Sequence, residues 1–232
     1  MNILGIIPAR GGSKGIERKN ISILGGRPLI AHTIEEALKS NLDSVIVSTE
    51  DDEIADTALR YGALVPFKRP MELALDTSNS IDVAIHGLKE MERLQNKTYE
   101  AVMYLQPTTP FRSSQDINDS IDLLHNNEKV DSVISVVDVK SNHPARMKYI
   151  EEGYLIDPDF CEIVENQNRQ ELRSMYIRNG AIYLTRRNSL LNKSFKGKTS
   201  LAHVMSYYDS INIDSPNDYE FAKWIYENKR NN

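Results

Sequence analysis

The stretch ILGIIPARGGSKGIERKN, residues 3–20, joins an unbroken apolar run to a loop rich in glycine and basic side chains. The run from Ile3 to Pro8 is largely β-branched and ends at proline and glycine, which is typical of a buried strand in a parallel sheet. A helix is predicted over residues 28–40, with proline in its first turn and apolar residues along one side. The opening is therefore a strand, a loop and a helix.

The same alternation continues along the chain and predicts an α/β fold with a mostly parallel, Rossmann-like sheet flanked by helices. Thr49 is expected to cap a helix that begins with Glu50 and ends before Gly62. Further predicted elements are a short strand at 64–67, a helix from Ser80, a strand at 100–107, a helix at 114–125, a strand at 131–139, a strand at 203–214 and a last helix from Ser215.

After residue 140 the signals become shorter and indicate an added element. The segment 147–157 resembles a two-stranded hairpin, and 174–185 resembles a strand with a polar interruption. We predict one domain over residues 1–232, with 140–205 as an inserted lid or dimerisation element within it.

Composition excludes several classes of function. The formal net charge of −5 argues against nucleic acid as a partner, and no apolar window is long enough to span a membrane. The chain start lacks the pattern of a secretory signal, and the single cysteine cannot form an internal disulfide. These features predict a soluble enzyme of the reducing cytoplasm.

The loop after the first strand has the properties of a phosphate-binding loop, although it matches neither common phosphate-loop nor dinucleotide motifs. Its glycines let backbone N–H groups approach a polyanion, and its cations supply charge. In parallel sheets, ligands bind beyond the carboxyl ends of strands. The loops at those ends carry Arg10, Thr49, Gln106 and Asp214, so we predict a ligand site there.

Four stretches together resemble the acylneuraminate cytidylyltransferase family, also called CMP-sialic acid synthetases: IPARGGSKGIERKN, LQPTTPFR, YIRNGAIY and INIDSPNDYEFA. They span nearly the whole chain in the family's order. The resemblance implies an enzyme that joins CTP to a nine-carbon 2-keto sugar acid and releases pyrophosphate. Alignment and charge neutralisation are the main demands of such a reaction.

The resemblance implies a residue set for the nucleotide. Arg10, Lys19, Arg178 and Asp214 would serve catalysis, with Arg10 and Lys19 offsetting charge on the leaving pyrophosphate. The CTP-binding residues would be Arg10, Gly11, Gly12, Ser13, Lys14, Asn20, Arg69 and Ser80. Glu17 stands where the family usually has proline, and we expect it to point outward.

A second set would hold the acceptor sugar: Gln106, Arg146, Arg169, Asn179, Tyr183 and Phe195. Arg169 is assigned to the sugar carboxylate, and Phe195 to an arm that reaches the sugar site of a partner subunit in a homodimer. For LQPTTPFR alone, the alternative is a rigid strand-to-helix turn with Arg112 in a surface salt bridge.

The metal site departs from the family pattern, because Asn212 replaces one of two aspartates that would share one side of a strand. Asp214 remains, and Mg²⁺ often needs only one or two carboxylates. We therefore expect weaker Mg²⁺ binding by Asp214 and Asn212. Two alternatives stay open: a nucleotidyltransferase for an eight-carbon keto acid or a sugar phosphate, and an inactive nucleotide-binding regulatory module.

Overall fold

The structure is a computed structural model that describes residues 1–12, 15–162, 164–165 and 167–230, without the side chains of Arg169, Lys229 and Arg230. Strands and helices alternate through most of the chain. The strands are β1 Ile3–Pro8, β2 Ile23–Leu24, β3 Arg27–Pro28, β4 Ser44–Ser48, β5 Ala101–Tyr104, β6 Ser132–Asp138, β7 Tyr149–Glu151, β8 Tyr154–Ile156, β9 Tyr176–Arg186 and β10 Ser200–Val204. The helices are α1 Leu29–Leu38, α2 Asp52–Arg60, α3 Ser80–Gln95, α4 Ser114–His125, α5 Arg187–Leu191 and α6 Pro216–Ile225.

Six strands form one sheet in the order β10-β6-β9-β5-β1-β4. β1 pairs in parallel with β4 and β5, and β6 pairs in parallel with β10, while β9 runs antiparallel to both β5 and β6. The predicted α/β class and the mostly parallel sheet are thus confirmed.

Helices cover both faces of the sheet, and the apolar residues of β1 pack on both sides. Ile3 and Ile7 belong to the core on the side of α1, α2 and α4, whereas Leu4 and Ile6 belong to the core under α3. Because side chains of a strand alternate between faces, an unbroken apolar run is what a strand covered on both sides requires.

The region added after residue 140 is shorter than the predicted 140–205. Residues 176–186 and 200–204 are strands of the main sheet, so the part outside it extends to about residue 175. There β7 and β8 form the predicted hairpin as a separate two-stranded sheet. The polar interruption did not end β9; the register instead shifts where it pairs with β6 between Ile134 and Val136.

Three local predictions were wrong. Asp51, not Thr49, caps α2, because its carboxylate accepts a hydrogen bond from the Ile54 N–H at 3.0 Å. Residues 64–67 form only an isolated bridge between Leu64 and Ile46. The strand predicted at 203–214 is replaced by β10, which starts and ends earlier, and by a 3₁₀ turn and an extended segment that reaches Asp214.

Candidate active site

A cavity of about 400 Å³ lies at the carboxyl ends of β1 and β5. Its wall combines the loop after β1, the start of α3 and the segment before α6. Eight residues predicted for the site line it: Arg10, Lys19, Asn20, Arg69, Ser80, Gln106, Asn212 and Asp214. Residues far apart in the sequence thus share one concave polar surface.

The loop after β1 places its polar side chains through a short 3₁₀ turn at Lys19–Ile21. Asn20 is buried, and its amide donates a hydrogen bond to the carbonyl of Arg10 at 2.9 Å, which ties the two ends of the loop together. The Arg10 guanidinium forms an ion pair of 2.8 Å with Asp76, which also lines the cavity. Asp76 is not among the residues predicted from the sequence for this site.

Asp214 packs against this loop, and both of its carboxylate oxygens have partners. The Lys19 ammonium donates to the Asp214 carboxylate at 3.2 Å and to the Ile213 carbonyl at 2.8 Å. The Asn212 amide donates to the other carboxylate oxygen at 2.5 Å. Asn212 and Asp214 are exposed on either side of buried Ile213, so they do share a face, although the segment is not a strand.

The back of the cavity is formed by Arg69, which is only 4% exposed, and by Tyr104. Arg69 donates through Nε to the Ser48 hydroxyl at 3.1 Å and through a second nitrogen to the Ser48 carbonyl. Burial lowers the pKa of Arg69, and burial raises the pKa of Tyr104 to about 12. The neutral Tyr104 hydroxyl forms a hydrogen bond with Ser80 in the first turn of α3.

The backbone of Gln106 is held by a hydrogen bond from Arg112, which does not lie on a surface turn. Arg112 is fully buried, and it donates to the carbonyls of Gln106 and Ala181 and to the Thr33 hydroxyl. The alternative of a surface salt bridge for Arg112 was therefore wrong. Burial lowers the pKa of Arg112 to about 9. Nothing in the local sequence distinguishes this arginine from an exposed one.

Gly180 touches the side chain of Gln106. Its φ is +78°, and a Cβ built there would lie 2.6 Å from Oε1 of Gln106. A side chain at position 180 would therefore displace the glutamine, so the glycine of YIRNGAIY has both a conformational and a steric role.

The other predicted residues that the structure describes are not among those lining this cavity. In the loop after β1, Gly11 is half-buried and Gly12 is exposed. Arg178 is exposed on β9, and Arg146 is exposed and donates to the Gln167 carbonyl at 2.8 Å. Ser13 and Lys14 lie outside the described residues, as does the side chain of Arg169. Glu17 is exposed, as expected.

Asn179 is directed into the protein. Its amide oxygen accepts from the Ser135 hydroxyl at 2.6 Å and from the Ala181 N–H at 3.1 Å, and its nitrogen donates to the Ser210 hydroxyl at 2.8 Å. A side chain with both ends bonded internally fixes β9 against its neighbours instead of meeting a ligand in this conformation.

Phe195 packs on its own subunit, between Tyr104 and Tyr183, with ring centroids 5.2 and 5.3 Å away. The predicted extended arm is not the conformation found, because the ring adds to the core under α3. Tyr183 is half-buried in the same group, and burial raises its pKa.

Within the described ranges, no group of three or more His, Cys, Asp and Glu side chains is arranged to hold a metal ion. Asp214 and Asn212 supply one carboxylate and one amide to the cavity.

None of the helices described is long and apolar enough to cross a membrane.

Fold and site together define an α/β protein with a polar cavity at the carboxyl ends of its strands, the position at which open parallel sheets bind ligands. The sequence model of the cytidylyltransferase family matches residues 4–229, and the chain belongs to this family.

Relatives that match nearly the whole chain carry more specific names. CMP-N,N'-diacetyllegionaminic acid synthase of Legionella pneumophila is 37% identical over 98% of this chain and 97% of its own length. N-acylneuraminate cytidylyltransferase of Escherichia coli is also 37% identical over 98% of this chain, which spans only 52% of that longer protein. Pseudaminic acid cytidylyltransferase of Campylobacter jejuni is 34% identical over 98% of this chain and 97% of its own length.

Solved structures share the fold. The structure of CMP:2-keto-3-deoxy-manno-octonic acid synthetase complexed with CTP matches with a TM-score of 0.71 at 17% identity, covering 98% of this chain and 99% of that one. 4-Diphosphocytidyl-2C-methyl-D-erythritol synthase from Anaerococcus prevotii matches with a TM-score of 0.65 at 18% identity, covering 97% and 98%. These similarities support the fold assignment.

Proposed function

We propose that this protein transfers the cytidylyl group of CTP to a nine-carbon 2-keto sugar acid of the sialic or legionaminic type, giving the CMP-sugar and pyrophosphate. The observation that carries the proposal is the polar cavity, whose wall brings together Arg10, Lys19, Gln106 and Asp214. The names of the full-length relatives supply the acceptor class.

The chain's own residues suit an in-line attack of the sugar hydroxyl on the α-phosphate. Arg10 and Lys19 would neutralise the charge that builds on the leaving pyrophosphate, a role in which preorganised cations are most effective. Gln106 would donate to or accept from acceptor hydroxyls while Arg112 holds its backbone. Ser80, at the first turn of α3, would meet the nucleotide where backbone N–H groups favour an anion.

Mg²⁺ fits the donors present. Asp214 and the amide oxygen of Asn212 are hard oxygen ligands on one face, and Mg²⁺ completes its octahedron with water and phosphate oxygens. When bound, the ion would reduce the negative charge of the phosphates. Lys19 and the Asn212 amide would have to release the Asp214 carboxylate, and this competition supports the expectation of weak, substrate-dependent metal binding.

We further propose a homodimer that completes the acceptor side. The hairpin β7–β8 leaves large apolar residues 57–75% exposed on both of its faces: Ile150 pairs with Leu155 on one face, and Tyr149 and Tyr154 lie on the other. Clustered exposed apolar side chains of this kind are typical of an interface. The exposed Arg146 lies in the same region, so a second copy could bring a cation to the sugar site.

The single cysteine, Cys161, is consistent with a reducing compartment such as the cytoplasm.

The test is pyrophosphate release from CTP and Mg²⁺, with N-acetylneuraminic, legionaminic and pseudaminic acids offered in parallel with an eight-carbon keto acid. We expect turnover with one of the nine-carbon acids. Turnover with the eight-carbon acid alone would mean that the acceptor is an eight-carbon and not a nine-carbon acid. CTP binding without turnover on any acid would favour the inactive regulatory module.

The dimer is tested by light scattering on the wild type and on the pair Ile150→Glu and Leu155→Glu. We expect a dimer that the variants convert to monomers, with CTP binding retained and acceptor turnover reduced. A wild-type monomer with full turnover would contradict the proposal.

A further inference from the structure

The loop after β1 is fixed by side chains that lie outside the cavity. At its far end, Arg18 adopts a left-handed backbone conformation with φ of 52°, which costs a non-glycine residue about 1 kcal/mol or more. Its guanidinium reaches back to the first turn of α2: Nη1 donates to the Asp51 carboxylate at 2.5 Å and Nη2 to the other Asp51 oxygen at 3.0 Å. Glu53 accepts a further bond from Nη2 at 2.5 Å.

The near end of the loop is attached to the same turn. The Gly11 N–H donates to Oε1 of Glu50 at 2.6 Å. Gly11 also packs so closely on Asp51 that an added Cβ would lie 2.5 Å from the carboxylate. Thus residues 50–53, which follow β4, contact both described ends of the loop.

Asp51 is itself firmly anchored. It caps α2, and the hydrogen bond from Arg18 holds the pKa of its carboxyl below the usual value, which keeps it ionised at neutral pH. A two-bond arginine–carboxylate pair fixes orientation as well as distance. Residues 50–53 therefore fix the glycine-rich loop in place relative to β4.

We propose that Arg18, Glu50, Asp51 and Glu53 form a loop clamp that positions Arg10 and Lys19 for the CTP phosphates without touching the nucleotide. Arg10 adjoins Gly11, and Lys19 adjoins Arg18, so the two cavity cations sit beside the two attachment points. The clamp residues are positioning residues. The inference rests on the proposed binding of CTP phosphates by this loop.

The experiment separates the charge of the clamp from its structural tasks. Asp51→Asn keeps the helix cap and the shape beside Gly11 but removes the charge, since asparagine caps helices about as well as aspartate. Arg18→Ala removes the other partner, and Arg18→Lys keeps the charge without the fork. Lys68→Ala is the matched control, because Lys68 pairs with Asp52 at 2.6 Å on the exposed side of the same turn.

Equilibrium binding of CTP is measured by calorimetry, and KM values for CTP and for the acceptor, together with the thermal midpoint, are measured on the same proteins. We expect about tenfold weaker CTP binding in Arg18→Ala and in Asp51→Asn, a smaller loss in Arg18→Lys, and none in Lys68→Ala. The double variant Arg18→Ala/Asp51→Asn should be no worse than either single one, because both remove the same pair. The KM for the acceptor should be unchanged.

Unchanged CTP binding in both single variants would overturn the clamp, as would equal increases in the KM for CTP and for the acceptor. If the wild type binds CTP but turns over no acceptor, the proposed reaction fails while the binding comparison still decides on the clamp. A wild type that binds no CTP overturns both.

Discussion

The proposed nucleotide side and the proposed acceptor side of the molecule are built differently. On the nucleotide side, Arg10, Lys19, Asn20 and Asp214 meet within one chain, and each has internal partners. Of the residues proposed for the acceptor, Gln106 lines the cavity, but Arg146 is exposed outside its lining, and the hairpin β7–β8 leaves large apolar side chains uncovered. One half of the proposed site is thus assembled by the fold of a single chain, and the other half is left open.

This contrast has a physical origin. The carboxyl ends of β1 and β5 are held in register by sheet hydrogen bonds, and buried Arg112 and Asn179 brace β9 beside them. The hairpin β7–β8, in contrast, forms a two-stranded sheet of its own, and among the described residues it pairs with no strand of the main sheet. Variants in the two halves should therefore separate effects on the nucleotide from effects on the acceptor.

The largest effect is expected for Lys19→Ala. Removing one preorganised cation from a site of developing charge commonly reduces kcat by roughly 10²–10³. Lys223→Ala, which breaks a surface pair with Glu220 on α6, should leave kcat unchanged. Steady-state pyrophosphate release measures both, and a loss below threefold in Lys19→Ala would show that the nucleotide half is not where charge is neutralised.

Gly180→Ala should reduce kcat/KM for the acceptor and leave the KM for CTP unchanged. The added methyl group would displace the Gln106 amide, and we expect kcat/KM for the sugar acid to fall by about tenfold to a hundredfold, as for lost positioning. The control is Gly26→Ala, where φ is +79° but the added Cβ meets nothing within 4 Å. Both variants should lose about 1 kcal/mol of stability from the left-handed backbone.

Equal catalytic losses in Gly180→Ala and Gly26→Ala would mean that backbone strain, rather than contact with Gln106, is responsible. Thermal unfolding of the two proteins, compared with their kinetics on the sugar acid and on CTP, makes that distinction.

Asn212→Asp tests the proposed Mg²⁺ site at Asp214 and Asn212. A second carboxylate beside Asp214 should tighten apparent Mg²⁺ binding several-fold, because ligand charge strengthens oxygen sites for divalent cations. The measurement is the Mg²⁺ concentration for half-maximal pyrophosphate release. Asn228→Asp, which adds the same charge on an exposed part of the chain, is the control. An unchanged Mg²⁺ requirement in Asn212→Asp would place the metal elsewhere.

The smallest effect is expected on the stability of the fold, at Asp116 in α4. Burial raises the pKa of Asp116, but hydrogen bonds from His203 and Ser113 outweigh it and hold the pKa below its usual value. A carboxyl with a lowered folded pKa contributes stability that is present above its unfolded pKa of about 3.9 and is lost as the pH falls through the folded value.

Asp116→Asn should therefore cost about 1 kcal/mol at pH 7 and flatten the loss of stability below about pH 4. Denaturant unfolding at several pH values measures this. Asp119→Asn on the exposed side of α4, where the partner is Gln115, should do neither. Identical pH profiles for the two variants would exclude the pairing of Asp116 as the cause.

Sequence patterns predicted the fold class and most element positions, because apolar period and cap residues act over a few neighbours. The resemblance also led to Arg10, Lys19, Gln106 and Asp214, which the structure brings to one cavity. The pattern did not show that β9 is antiparallel and central, since strand direction depends on long-range pairing. Nor did it show the burial of Arg112, because an arginine after a turn looks the same whether a sheet covers it or not.

The sequence by itself determined that strands and helices alternate, that a basic glycine-rich loop follows the first strand, and that the chain belongs to the cytidylyltransferases. Only the tertiary structure decided which side chains face the cavity: Asn179 and Phe195 turn into the protein, Asp76 joins Arg10, and Arg18 holds the loop from behind. Local propensity sets the elements, but the direction of a side chain follows from packing between segments distant in sequence, and that packing exists only in the folded chain.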